Sequence, residues 1–261
     1  VAEFLKKLAG CAAKAINDGV YDLNFTLYHP VLRISDAIRN CKHAPLITEI
    51  KFASPSMGTI RKYSNISYIA KEMVDSGVVA LSILTQPSMF DGSPEYLTNA
   101  KLSVDVPLLM KDIMISDIQI NAAKKIGADC ILLIASLFNS NLCEGTVEGF
   151  IEKAHRLDLE VLLETHTEQE FREAMNTDAD LIGINNRNLD TMQIDIRTTE
   201  HILKRCEKRK PVISESGINT AEEIRYLKGG GADAFLIGTG IMQSSNIKEK
   251  VRELVMAYEA H

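Results

Sequence analysis

Long apolar runs are missing from this 261-residue chain. The longest are strand-sized, so the sequence predicts no membrane span. The five cysteines, Cys11, Cys41, Cys130, Cys143 and Cys206, are odd in number and form no Cys-x-x-Cys pair. That pattern argues against a disulfide framework or zinc knuckle and predicts reduced thiols in a cytoplasmic protein. The six histidines are scattered, with no His-x-His or His-Glu-x-x-His, so neither a catalytic metal nor a metal motif is expected. No basic run stands out against a formal charge of −6, so nucleic acid is not an expected partner. The stretch Val1 to Lys7 is too polar for a signal peptide. Linkers, charge runs and low-complexity segments are absent too, so a single domain over 1–261 is expected.

What is present is ordinary globular material, 46% hydrophobic and 25% charged. Apolar runs of strand length recur at 46–50, 78–84, 107–110, 130–135, 159–163, 180–184, 211–214 and 233–237. Helical patterns follow at about 64–76, 94–102, 116–126, 144–157, 167–175, 198–206, 219–229 and 246–260. Strands apolar on both faces and separated by helices imply a parallel sheet. Eight such units predict a closed (β/α)₈ barrel, an α/β fold. An amphipathic helix at 3–17 and a short one at 35–40 precede the first strand, so residues 1–44 read as an N-terminal helical extension. Before three strands stand Ser76-Gly-Val78, Gly127-Ala-Asp129 and Gly231-Ala-Asp233, where Gly is expected to end a helix.

Active sites of such barrels lie at the C-terminal strand ends. Charged and polar residues fall there, each two positions beyond an inward-facing residue and therefore on the same face. Glu49 and Lys51 follow Ile47, Lys111 follows Leu109 and Glu164 follows Leu162. Asn185 follows Gly183, and Glu215 follows Ile213. Any one of them reads equally well as a solvated strand end; together they converge on one mouth. Lys beside Glu in partial burial has the shifted acidity that general acids and bases need. Two further stretches suit a phosphate. Ser214-Glu-Ser-Gly-Ile218 ends the seventh strand and Leu236-Ile-Gly-Thr-Gly240 the eighth, with a short helix expected near Thr239. Gly217 and Gly238 let backbone N–H groups approach oxygens, while Ser54, Ser216 and Thr239 offer hydroxyls. Phe52 to Tyr63, with Pro55 and Gly58, is a candidate lid.

Six stretches carry a resemblance. They are Glu49-Ile-Lys51 with Ala53-Ser-Pro-Ser56, Ala80 to Thr85 with Phe90-Asp-Gly92, Leu108-Leu-Met-Lys-Asp112, Ile182 to Leu189, Ile213 to Ile218, and Phe235-Leu-Ile-Gly238. With them the chain resembles the indole-3-glycerol-phosphate synthase family over nearly its whole length. The resemblance implies a carboxy-lyase of tryptophan biosynthesis. Such an enzyme closes the indole ring of 1-(2-carboxyphenylamino)-1-deoxyribulose 5-phosphate with loss of CO₂ and water, without cofactor. It implies Lys111 as general acid on the ketone and Lys51 as holder of the carboxylate and candidate acid for the dehydration. Glu164 would manage protons, and Glu49, Asn185 and Glu215 would position substrate and lysines. Ser54, Ser216, Gly217, Gly238 and Thr239 would hold the phosphate, and Phe90 and Leu189 would line the aromatic pocket. The expected partner is a phosphorylated small molecule, with no nucleic acid or membrane, and a monomer is expected. Four positions depart from the family pattern: Phe52 and Gln243 replace basic residues, Ile113 an aromatic and Thr239 a Ser.

Three alternatives share the fold. Phosphoribosylanthranilate isomerase is expected to use a Cys/Asp pair, which Glu49 and Lys51 argue against. A tryptophan synthase α chain is a second phosphate-binding barrel. A non-catalytic phosphometabolite-binding barrel would have no need of Lys111 and Glu164. Fold alone does not separate them.

Overall fold

The computed structural model describes residues 2–62, 64–189 and 191–259. Eight parallel strands close into a barrel: β1 (Leu46–Ile50), β2 (Ala80–Leu84), β3 (Leu108–Lys111), β4 (Cys130–Ile134), β5 (Glu160–Thr165), β6 (Leu181–Asn185), β7 (Val212–Glu215) and β8 (Ala234–Ile237). Neighbours in sequence are neighbours in space, and β1 closes the ring by pairing with both β2 and β8. The expected strand positions hold to within about two residues, as do most helices. The last expected helix reached residue 260, which lies outside the described residues. It runs Ile247–Val255 and tightens into a 3₁₀ turn over Met256–Tyr258.

Alternation divides each strand between two cores. Outward residues such as Leu81, Met110, Leu133, Leu163, Ile184 and Phe235 pack under the helices. Inward residues Ile47, Ala80, Leu109, Leu132, Leu162, Leu181, Ile213 and Ala234 fill the barrel. The segment before β1 spans the barrel from end to end. Helix α1 (Ala2–Asn17) lies at the mouth, where Phe4 and Leu8 face the central cavity. The chain then descends past the helix Asp117–Ile126, where Leu27 N–H donates to Lys125 O (2.8 Å). Helix α2 (Ile34–Asn40) closes the floor, adding Ile34 and Ile38 to the inner core. Glu160, the first residue of β5, accepts from Ile34 N–H at 2.5 Å and from the Ser35 hydroxyl, which fixes α2 there.

The turns before the strands serve a purpose beyond ending helices. Asp129 accepts from Leu108 N–H (2.8 Å), Asp180 from Val161 N–H (2.8 Å) and Asp233 from Val212 N–H (2.7 Å). Each aspartate, standing just before one strand, pairs an N–H at the start of the preceding strand in the barrel, which the ladder leaves open. Gly127 at φ 93° is the C-cap of its helix, as expected. Gly77 and Gly231 have positive φ but lie one or two residues beyond the caps, Asp75 and Gly230.

Three short helices stand at the mouth. Thr239–Met242 is the one expected, whereas Pro87–Phe90 and Ala135–Asn139 are too short for periodicity to reveal. The stretch after β1, the candidate lid, holds a short regular element. It forms a hairpin in which Ala53–Ser54 pairs antiparallel with Gly58–Thr59. Tyr63, the far end of that candidate lid, lies outside the described residues.

Asp129 also meets Lys101 at 2.7 Å, with 0% and 5% of the two side chains exposed. Asp129→Ala leaves a buried ammonium and a strand N–H without their acceptor. The expected loss is about 3–5 kcal/mol of unfolding free energy, read by urea denaturation. A loss under about 1 kcal/mol would mean that water replaces the carboxylate.

Candidate active site

One cavity of about 390 Å³ opens at the C-terminal ends of the strands. Its lining includes all thirteen residues named from the sequence: Glu49, Lys51, Ser54, Phe90, Lys111, Glu164, Asn185, Leu189, Glu215, Ser216, Gly217, Gly238 and Thr239. They come from five strands and from the segments that follow β1, β2, β6, β7 and β8, so what brings them together is closure of the barrel rather than any local motif.

The centre is a charge cluster. Lys111 Nζ lies 3.2 Å from Glu164 Oε2 and 3.9 Å from Glu215 Oε2. Asn185 Nδ2 donates to Glu164 Oε1 at 3.1 Å. Lys51 Nζ meets Glu49 Oε1 at 2.5 Å. Both lysine side chains are 17% exposed, the glutamates 5% or less.

Burial works against every charge here, and neighbours decide which survive. For Lys111 burial favours the neutral amine, but Glu164, Glu215 and Glu49 outweigh it and raise its pKa. Burial would raise Glu164; Lys111, His166 and Asn185 reverse this and hold the carboxyl below the usual range. Glu49 is lowered by Lys51 and Lys111 against the same burial. Glu215 goes the other way. Burial and the adjacent Glu164 charge push it well above the carboxylate range, more than Lys111 pulls it down. The site thus holds an ammonium, an ionised carboxylate and a protonated carboxyl side by side, a set able both to give and to take protons.

Two glycines make the packing fit. A Cβ on Gly183, beside Glu164 in the ladder, would fall 2.2 Å from Glu215 Oε1. A Cβ on Gly238 would fall 2.7 Å from Glu49 Oε1 and 3.2 Å from Lys51 Cε.

At one side of the cavity Ser216 (φ 69°) and Gly217 (φ 83°) turn sharply after β7. A non-glycine at positive φ is uncommon, and such strain gathers at binding sites. Next to them Gly238 opens the helix Thr239–Met242 with no side-chain cap. Its first-turn N–H groups are therefore suited to an anion. Arg61 fixes the other end of that helix, donating to Met242 O (2.9 Å) and Ser244 O (3.1 Å). The opposite side is apolar, with Phe90, Leu189, Ile113, Phe4 and Leu8.

The departures from the family pattern separate by direction. Phe52 is buried in the outer core, edge-on to Tyr96 at 5.7 Å and 82°, on the face opposite Lys51. Its substitution therefore takes no cation from the mouth. Ile113, Thr239 and Gln243 do line the cavity.

Two polar residues near the centre were not assigned from the sequence. Arg187 lines the cavity and its Nη1 donates to Met192 O at 3.2 Å. His166 stands behind Glu164, with Nε2 3.2 Å from Glu164 Oε1. Both lie two residues beyond an assigned side chain, Asn185 and Glu164, so the alternation that found those extends to them. The arrival of α1 at the mouth leaves no such mark in the sequence.

A family model described as indole-3-glycerol phosphate synthase matches residues 9–254. Indole-3-glycerol phosphate synthase of Methanocaldococcus jannaschii is 45% identical over 229 residues, 86% of this chain and 84% of that protein. That of Acetivibrio thermocellus is 40% identical over 225 residues, 86% and 85% of the two chains. Among solved structures, the thiamine phosphate pyrophosphorylase of Pyrococcus furiosus superposes with a TM-score of 0.59 at 15% identity, over 81% of this chain and 93% of that one. The N-acetylmannosamine-6-phosphate 2-epimerase of Clostridium perfringens gives 0.61 at 16% identity, over 82% and 93%. These two likenesses concern the barrel fold alone.

Gly183→Ala forces Glu215 away from Lys111. The expected result is a fall in kcat of at least about tenfold, with unfolding free energy changed by less than about 2 kcal/mol. Steady-state kinetics and urea denaturation check it. An unchanged kcat would show that Glu215 moves without consequence.

Proposed function

The chain belongs to the indole-3-glycerol phosphate synthase family, and we propose that its reaction runs through the Lys111–Glu164 pair. The enzyme is a carboxy-lyase of tryptophan biosynthesis. It closes the indole ring of 1-(2-carboxyphenylamino)-1-deoxyribulose 5-phosphate and releases CO₂ and water. The observation that carries the assignment of roles is the Lys111 ammonium, 3.2 Å from Glu164 and held charged chiefly by it, in a cavity with an apolar side and an anion cradle.

Lys111 gives its proton to the ketone oxygen as the ring carbon bearing the carboxylate attacks the carbonyl carbon. The carbon–carboxylate bond then breaks, and its electron pair restores the aromatic ring. Lys51, steadied by Glu49, holds that carboxylate and protonates the departing hydroxyl. Glu164 takes the C–H proton that completes the double bond; Asn185 orients it, and Glu215 positions Lys111. Phe90, Leu189 and Ile113 enclose the anthranilate ring. Ser54, Ser216, Gly217, Gly238 and Thr239 hold the phosphate, whose binding energy orients the reacting carbons. Arg187 adds a third cation to the mouth.

We read the protein as a monomer, and the free thiols support a cytoplasmic enzyme. Because α1 and α2 both join the inner core, we read residues 1–261 as one barrel domain with 1–44 as its extension.

The chain has no Trp, so indole fluorescence rises from a low background. Purified protein with the carboxyphenylamino substrate and EDTA is expected to develop that signal. Tight binding without indole would reject catalysis. Lys111→Ala is expected to lower kcat at least about 10³-fold while substrate still binds through the cradle. Near-normal turnover would reject Lys111 as the acid.

A further inference from the structure

The reaction consumes a proton that the cavity does not regenerate. The substrate enters as a carboxylate and that carboxylate leaves as neutral CO₂. The dehydration takes one proton for the hydroxyl and returns one from carbon. The proton placed on the ketone oxygen is therefore the net cost, one per turnover. Lys111 is only 17% exposed before substrate enters, and a protonated group behind the reacting pair can restore it without water.

His166 is built into that position. It lies two residues beyond Glu164, with 7% of its side chain exposed. Nε2 is 3.2 Å from Glu164 Oε1, and Glu164 Oε2 is 3.2 Å from Lys111 Nζ. This buried Nε2 makes no other hydrogen bond among the described residues, and Glu164 Oε1 at 3.2 Å is the acceptor that faces it. The other nitrogen, Nδ1, faces Glu170 Oε2 at 3.6 Å and Ser136 Oγ at 3.3 Å. Glu170 is itself pinned, accepting from Ser136 Oγ (2.6 Å) and from the His166 backbone N–H (2.7 Å). None of His166, Glu170 and Ser136 lines the cavity.

We infer that His166 is the proton store of the active site, kept charged by Glu170 and acting on Lys111 through Glu164. In each turnover the imidazolium gives its Nε2 proton to Glu164, which passes it to the neutral Lys111 amine. His166 is left neutral with its proton on Nδ1 toward Glu170. When product leaves and the mouth fills with water, Glu164 gives up the proton it took from carbon, Lys51 regains the one it gave to the hydroxyl, and Nε2 is protonated again through Glu164. One proton enters from solvent per cycle, matching the one consumed. His166 touches no reacting atom, so it is a positioning residue. Among the described residues its charged neighbours are Glu164 on β5 and Glu170 on the helix Glu168–Ala174; Lys111 and Glu215 lie beyond Glu164. Burial would lower its pKa, but these two carboxylates raise it to about 9.

The store rests on the reaction proposed above, and its test begins where that reaction is not needed. Nitrogen-15 NMR of the free enzyme is expected to show both His166 nitrogens protonated at about pH 8; a neutral ring there overturns the proposal whatever the activity. In kinetics, kcat of the wild type is expected to fall above about pH 9. In Glu170→Gln that fall sets in about one pH unit earlier, because the far carboxylate is gone. In His166→Gln kcat drops at least about tenfold with KM within about twofold, and the basic fall near pH 9 is lost. A basic limb unmoved in Glu170→Gln, or normal kcat in His166→Gln, overturns the store. If His166→Gln does not fold, the Glu170→Gln profile and the NMR titration decide. Absence of turnover in the wild type would instead fail the reaction assignment.

Discussion

Lys111 and Glu164, 3.2 Å apart and mostly buried, form a contact that does not stabilise the fold on its own account. Removing two such charges from water costs several kcal/mol per ion, and attraction returns that only in good geometry. The geometry is held by what lies beneath. Leu109 and Leu162, two residues earlier on the same strands, are fully buried in the inner core. The ladders from β3 through β4 to β5 set the spacing of the two side chains. The apolar barrel thus maintains an electrostatic arrangement that would be poorly held on loops. The other site residues follow from it. Asn185 and His166 restrain Glu164, burial and the Glu164 charge raise the pKa of Glu215, and Gly183 leaves the space that the Glu215 carboxyl occupies.

The parts of the molecule legible in sequence are those governed by a period. Alternation along strands identified Glu49, Lys111, Glu164, Asn185 and Glu215, because one face of a barrel strand must be inside. The same rule, carried two residues further, reaches Arg187 and His166, where the strand has ended but the chain is still extended. Elements without a period were not legible. The hairpin at Ala53–Thr59 has two residues per strand, and the helix Pro87–Phe90 is one turn long. The path of α1 depends on contacts with the helices Pro87–Phe90 and Ala135–Asn139 and with the inner core, which are long-range and leave no local pattern. The aspartates of the Gly-Ala-Asp turns belong to the same class, since each bonds a strand whose start lies about twenty residues earlier in the chain.

Phe52 shows how a departure from a family pattern is judged by direction rather than by residue type. It follows Lys51, and successive strand residues face opposite sides. A cation at this position would stand among Tyr96 and the outer core, and an aromatic ring fits there better. Gln243 is a different case, since it lines the cavity together with Gly238 and Thr239.

The closed floor sets the traffic of the reaction. Ile34 and Ile38 lie under an inner core in which Ile47, Leu109, Leu162 and Ile213 are each 0% exposed, and Glu160 holds α2 against it. The barrel is therefore a blind well, not a tube. Substrate enters by the rim, and the carbon dioxide set free deep in the well leaves by the same rim, past the phosphorylated product. A gas molecule slips by where a bulkier phosphate ester does not. The well thus imposes an order of departure, gas before ester, through its shape alone.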